Sequence, residues 1–283
     1  MPAVLDRVRE LIDYEETGTG PTIVLVPGSC STGAAWRPVI AGLKDRFRCV
    51  TTSLLGYGGT VERRTKDDPS IRHEADALEW IAREAGGPVH LVGHSFGGLV
   101  SLAVALRKQA DLASLIVLEA PAVELLPERG EHHHYRAIRR MTEAYFASFR
   151  SGNAEAIAGM IDFYGGIGTF ASWPERVRAY AVQTTPINIL DWASAYGFPL
   201  SAASLSAIEI PTLVATGRAS HPSMHAANAL LSECINGASL AVIPGAGHFM
   251  IATHAGEVAW HIADHVNSVE RNRRQRRVLA AAK

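Results

Sequence analysis

Short apolar runs rich in β-branched residues recur along this chain and alternate with stretches of helical period. The runs are Thr22–Val26, then residues 47–52, 89–92, 115–118, 212–215 and 238–243. Each is apolar without alternation, the pattern of a strand buried on both faces, and such strands pair in parallel beneath helices. Helical period occupies 34–44, 71–83, 95–107, 222–232 and 255–267. The alternation predicts an α/β fold with a mostly parallel central sheet flanked by helices. Residues 10–17 add an edge strand, closed by the turn at Gly18-Thr-Gly20.

One interval breaks this rhythm. No buried strand is legible from 121 to 206, where helical text is punctuated by Gly165-Gly166, Trp173-Pro174 and Phe198-Pro199. Residues 121–200 hold 12 of the 20 aromatics, which suggests a helical lid inserted over a pocket. The expected organisation is therefore a core of 1–120 and 207–268, a lid of 121–206, and a basic, flexible tail of 269–283. That tail carries six basic residues against Glu270 alone, so the other 268 residues hold 21 basic and 27 acidic groups. An acidic body without a basic face argues against nucleic-acid binding. No run approaches the roughly 20 apolar residues of a bilayer span. The first ten residues include Asp6, Arg7, Arg9 and Glu10, where a secretory leader needs an apolar stretch. Cys30, Cys49 and Cys234 are odd in number and form no CxxC pair, which fits reduced thiols and a cytoplasmic setting.

Gly93-His94-Ser95-Phe96-Gly97 fits G-x-S-x-G. The bare string is weak, but its context is specific, because it follows a strand-like run and opens a helix-like one. Such a turn lifts the serine hydroxyl above the sheet and aims the next helix's N–H groups at any anion formed there. Serine is a poor nucleophile without a base. Of the 12 histidines, His248 stands between the last strand and last helix, in Gly245-Ala-Gly-His248. His94 adjoins the serine, but its side chain is expected to leave the turn in another direction. The run His132-His133-His134 reads as exposed lid surface, with a metal site as the lesser alternative. His221 and His225 are spaced i,i+4 and lack an evident third zinc ligand.

These segments resemble the α/β-hydrolase superfamily, in its lidded esterase, lactonase and C–C-hydrolase branch. The resemblance covers roughly residues 20–268. It rests on Leu25-Val-Pro-Gly-Ser29 with Trp36, on Leu54-Leu-Gly-Tyr-Gly-Gly59, on the elbow and on the His248 loop. It implies Ser95 as nucleophile and His248 as general base. The oxyanion hole would use the backbone N–H of Phe96 and that of Ser29, with the neighbouring Cys30 amide as the alternative. Pro27 departs from the usual histidine. Many members carry an aspartate where this chain has Ser220, and residues 217–225 contain no acid. Some lidded members place it after the strand that follows the nucleophile helix, which here ends Leu115-Ile-Val-Leu-Glu119. A carboxylate closing an apolar strand needs a partner, since a lone buried charge is strongly unfavourable. Glu119 is thus the expected acid, with Glu124, Asp191 or a Ser–His dyad as alternatives.

The implied activity is serine hydrolysis of an ester, lactone or thioester through an acyl-enzyme. C–C hydrolysis, cofactor-free perhydrolysis and a catalytically weak binding protein are the alternatives. Family members that cleave haloalkanes or epoxides need an aspartate nucleophile instead. No G-x-G-x-x-G or G-x-x-x-x-G-K-[ST] motif is present, so no nucleotide cofactor is expected, and no metal either. Trp173, Trp192, Phe163, Phe170 and Phe198 favour a small apolar or aromatic substrate, while Arg37 and Arg218 lie in loops within reach of the cleft. The expected partner is a small molecule, and self-association is compatible with the sequence but not required by it.

Overall fold

The computed structural model describes residues 11–281. The first ten residues, among them Glu10 as the expected start of the edge strand, and the last two of the expected tail lie outside them. Among the described residues the strands are β1 (Glu15–Thr17), β2 (Thr22–Val26), β3 (Arg48–Thr51), β4 (Val89–His94), β5 (Leu112–Leu118), β6 (Thr212–Gly217) and β7 (Ser239–Ile243). They form one sheet in the order β1-β3-β2-β4-β5-β6-β7. Only β1 runs antiparallel to its neighbour, so the sheet is mostly parallel, as the continuous apolar runs predict.

Alternate residues of the same strand enter different cores. Val24, Leu91, Val117 and Val214 face one side, while Ile23, Val92, Ile116 and Ala215 face the other. The first side is covered by α2 (Arg72–Glu84), α3 (Phe96–Arg107) and α11 (Pro222–Cys234). The second is covered by α1 (Arg37–Ile40), α12 (Met250–Thr253) and α13 (Ala255–Ala281). Parallel register lines up the strand ends. Val26 pairs with Gly93, His94 with Leu118, Leu118 with Ala215, and Gly217 with Ile243. The loops after β2, β4, β5, β6 and β7 therefore emerge along one edge, where α/β sheets place their ligands.

Between β5 and β6 the described chain is helical. The segments are α4 (Leu125–Glu128), α5 (His132–Arg150), α6 (Ile157–Gly165), α7 (Thr169–Ser172), α8 (Glu175–Gln183), α9 (Thr185–Gly197) and α10 (Ala202–Leu205). The 34–44 helix is instead a 3₁₀ turn, Gly33–Trp36, leading into the short α1.

Residues 269–281, within the expected basic tail, continue α13 as helix, and most of those after Glu270 are exposed. Val269 is buried, and the Glu270 carboxylate approaches the His90 ring at 3.5 Å.

Candidate active site

Ser95 occupies the turn between β4 and α3 with φ 52° and ψ −125°, a region that costs a non-glycine residue about 1–3 kcal/mol. Its surroundings hold it there. The Ser95 N–H donates to the Leu118 carbonyl at 2.8 Å, and its own carbonyl accepts from Gly98 and Leu99. The turn is so tight that a Cβ on Gly97 would lie 2.2 Å from the Pro27 carbonyl oxygen. The G-x-S-x-G glycines are thus a steric requirement of the turn.

His248 arrives from the loop after β7. Its Nε2 lies 3.0 Å from Ser95 Oγ, and its Nδ1 lies 3.3 Å from Glu119 Oε2. That loop is tied to the one after β6, where Ala219 N–H donates to the Ala246 carbonyl at 2.8 Å and Arg218 N–H to Ile243 at 2.9 Å. A proton on Nδ1 lets the imidazole donate to the carboxylate while Nε2 accepts from the serine hydroxyl. Tyr164 of α6 stacks on the ring at 4.3 Å between centroids.

Glu119 is fully buried at the end of β5, with φ 53°. Its two oxygens divide their partners. Oε1 accepts from the Thr216 hydroxyl, from Gly217 N–H at 2.9 Å and from Ser220 Oγ at 2.9 Å, leaving Oε2 for His248. Burial alone would raise the carboxyl pKa. The His248 hydrogen bond and charge, with the Thr216 and Gly217 donors, outweigh burial and hold it at about 2. Ser220, at the position where the resemblance implies an acid, donates to this carboxylate instead.

His94 leaves the turn away from the Ser95 hydroxyl, as expected, and meets a partner that no motif marked. Its Nε2 donates to the His248 backbone carbonyl at 2.8 Å, so the residue before the serine braces the loop that carries the imidazole. Burial, reinforced by the nearby His248, drives its pKa down to about 3. Buried His90 is likewise pushed down, to about 4, chiefly by burial. Both bind protons more readily when unfolded, so their contribution to stability is complete above the ordinary value near 6.5. It is lost as pH falls from there towards 3–4. Each is expected to cost at most about 1.4 kcal/mol per pH unit in that window. Urea midpoints should fall between pH 7 and pH 5, and the fall should be shallower in His90→Gln.

Over Ser95 lies a cleft. Its floor includes Ser29, Cys30, Phe96 and His248, and the insertion adds Met160, Ile161, Tyr164, Trp173 and Trp192. The structure thus brings Ser29, Ser95, Phe96, Glu119 and His248 to one sheet edge, the first three and His248 lining one cavity. Phe96 opens α3, so its N–H belongs to the first-turn donors that lack an intrahelical acceptor. Burial, with the Asp191 charge adding to it, pushes the Cys30 thiol up to about 12, so it stays protonated beside the serine.

Other candidates fall elsewhere. Asp191 meets Ser29, Tyr57 and Arg64, not His248, and half-buried Glu124 sits at the N-terminus of α4. Phe163 stacks on His221 rather than facing the cleft. Phe170 and Phe198 join the core, and neither Arg37 nor Arg218 lines the cavity. Potential ligand atoms of Glu131, His133 and His134 lie within 4.8 Å of one another. That group sits at the N-terminus of α5, where the helix dipole opposes a cation. Among the described residues no helix is long and apolar enough to cross a membrane.

A strand–serine–helix elbow, with a histidine and a buried carboxylate at the same end of a parallel sheet, defines a hydrolase-type α/β protein. The sequence comparison agrees: residues 23–259 match the alpha/beta hydrolase family, and the chain belongs to it. It is 28% identical to a cis-3-alkyl-4-alkyloxetan-2-one decarboxylase of Xanthomonas campestris pv. campestris over 123 residues, 41% of each chain. Haloalkane dehalogenase 2 of Mycobacterium tuberculosis is 35% identical over 114 residues, 40% of this chain and 39% of that one. The matches span about two fifths of the length of these curated relatives. A thermophilic esterase from Thermogutta terrifontis superposes with a TM-score of 0.72 at 25% identity, over 91% of this chain and 93% of that one.

Proposed function

We propose that this protein is a serine carboxylic-ester hydrolase acting through an acyl-enzyme on Ser95. The observation that carries the reading is the pair of contacts at His248, 3.0 Å to Ser95 Oγ and 3.3 Å to Glu119 Oε2. In this mechanism His248 takes the hydroxyl proton as Ser95 attacks the carbonyl carbon, and Glu119 steadies the imidazolium that forms. The oxyanion is held by the Phe96 and Ser29 amides. His248 then passes its proton to the leaving group, and water cleaves the acyl-enzyme by the same route. The binding-protein alternative drew its support from the missing acid at 220, and a carboxylate bonded to His248 from position 119 removes that support. A serine at the elbow is also not the carboxylate nucleophile that haloalkane chemistry requires.

The lid aromatics and aliphatics favour a small, largely apolar substrate. Asn188 adds one polar point. It lines the cleft, and its amide oxygen is buried with no hydrogen-bond partner among the described residues. A polar group held there without a partner costs stability, so the preferred substrate carries a hydroxyl or N–H that reaches it. A series of p-nitrophenyl esters of graded chain length, with lactones alongside, tests the reading. Short to medium acyl chains should be cleaved, and Ser95→Ala should cleave none of them measurably. Absence of turnover across the series, together with failure of Ser95 to react with a fluorophosphonate, would overturn it.

A further inference from the structure

Beneath the cleft lies a charged cluster that the proposed mechanism does not use. Asp191, on α9 of the insertion, is 2% exposed. Its Oδ2 accepts from Ser29 Oγ and from the Tyr57 hydroxyl, each at 2.6 Å. Its Oδ1 faces Arg64 Nη1 at 2.8 Å. Arg64 is itself 4% exposed. It is gripped through Nε and Nη2 by Glu62 at 2.9 and 2.7 Å, and its Nη1 approaches Glu74 at 3.4 Å and the Ser194 hydroxyl at 3.3 Å. The guanidinium carbon lies 5.9 Å from the centre of the Phe96 ring.

A buried ion pair is a poor way to gain stability, because apolar side chains of similar volume serve as well or better. This one does something more specific. One of its two hydroxyl partners is Ser29, the residue whose amide is assigned to the oxyanion hole. The segment around Ser29 needs holding. Cys30 has φ 58° without being glycine, a conformation that persists only where neighbours enforce it. Ser31 Oγ to the Gly28 carbonyl, at 2.8 Å, ties the loop to itself, while Ser29 Oγ ties it to the insertion. Arg64 also offsets the Asp191 charge, which would otherwise oppose the negative charge developing on a substrate oxygen in the same cavity.

We propose that Asp191, paired with Arg64, is a positioning residue that holds the Ser29 segment through the serine hydroxyl, so that packing of α9 against the core sets the oxyanion hole. The inference rests on the serine-hydrolase reading. It requires the Ser29 hydroxyl to act on the transition state rather than on substrate binding.

Ser29→Ala removes the link and leaves the buried ion pair intact, so it tests the proposal without the unpaired charge that Asp191→Asn would create. It should lower kcat on a cleaved ester about 10- to 100-fold, with KM changed less than twofold and Tm within about 3 °C, a smaller loss than that of an oxyanion donor itself. Affinity for a boronic-acid analogue of the tetrahedral intermediate should fall by a similar factor, and Ser29→Thr, which keeps a hydroxyl, should recover much of the loss. A merely structural role would lower Tm and leave kcat and analogue affinity unchanged. Ser29→Ala with kcat and analogue affinity within twofold of the parent protein overturns the proposal while leaving the esterase reading intact. A parent protein that neither turns over esters nor takes a fluorophosphonate label overturns both.

Discussion

Replacing Ser95 by alanine is expected to lower kcat by roughly 10⁴–10⁶-fold, with Tm unchanged within a few degrees. The size follows from what is removed. The acyl-enzyme route disappears with the Oγ, and only binding and the oxyanion donors remain, which in serine hydrolases sustain roughly 10³–10⁴ over water. The small structural cost follows from the turn. Ser95 makes its structural hydrogen bonds through the backbone, to Leu118, Gly98 and Leu99, and alanine keeps all three. The hydroxyl's contact is with His248 Nε2 at 3.0 Å, at a half-buried position. Steady-state kinetics on an activated ester, with intact-mass measurement of fluorophosphonate labelling, checks the result. A variant that retains a tenth of parental activity would mean that another nucleophile acts in this cleft. Cys30 is the nearest thiol, and its raised pKa makes it a poor candidate.

The inner strands were legible because both-face burial leaves an unbroken apolar signature, while β7 keeps the apolar run though it lies at the sheet edge and is only partly buried. At the chain's end, charge density hid a helical propensity. Residues 268–281 contain neither glycine nor proline, and Arg, Glu, Gln, Leu and Ala are good helix formers. With Val269 buried and Glu270 set against His90, the helix has reason to continue. In the site, the positions of Ser95 and His248 came from the motifs that carry the family resemblance, and Glu119 from that resemblance together with the cost of an unpaired charge closing an apolar strand. The Arg64–Asp191 pair joins the loop after β3 to a helix of the insertion, and no local pattern marks it. His94 leaves the turn in another direction than the serine, as expected, but its partner, the His248 carbonyl, has no local signal in the sequence. Of the five aromatics singled out in the insertion, two line the cleft. Helix phase alone does not decide which side of a packed helical layer faces a cavity, so Met160, Ile161 and Tyr164 had no distinguishing signal.

Glu119→Gln is expected to lower kcat by roughly 10³–10⁴-fold without unfolding the protein. The three donors on Oε1 decide how a glutamine would sit. Thr216, Gly217 N–H and Ser220 all offer hydrogens to that oxygen, so the amide oxygen would stay there and the NH₂ would face His248 Nδ1. Two donors cannot satisfy each other, and the imidazole would shift its proton to Nε2, where it can no longer accept from Ser95. The loss is therefore one of tautomer and charge, not of packing, and KM should move far less than kcat. Because the Glu119 pKa is held near 2, the carboxylate is ionised throughout the range in which such an enzyme would be assayed. Any acid limb of kcat/KM above pH 5 must then come from another group. Ser220 lies 2.9 Å from the same carboxylate, so adding Ser220→Asp to Glu119→Gln should restore tenfold or more by returning an anion to Nδ1 from the neighbouring loop. Activity of Glu119→Gln within threefold of the parent protein would show that the imidazole works without its carboxylate, as a Ser–His dyad.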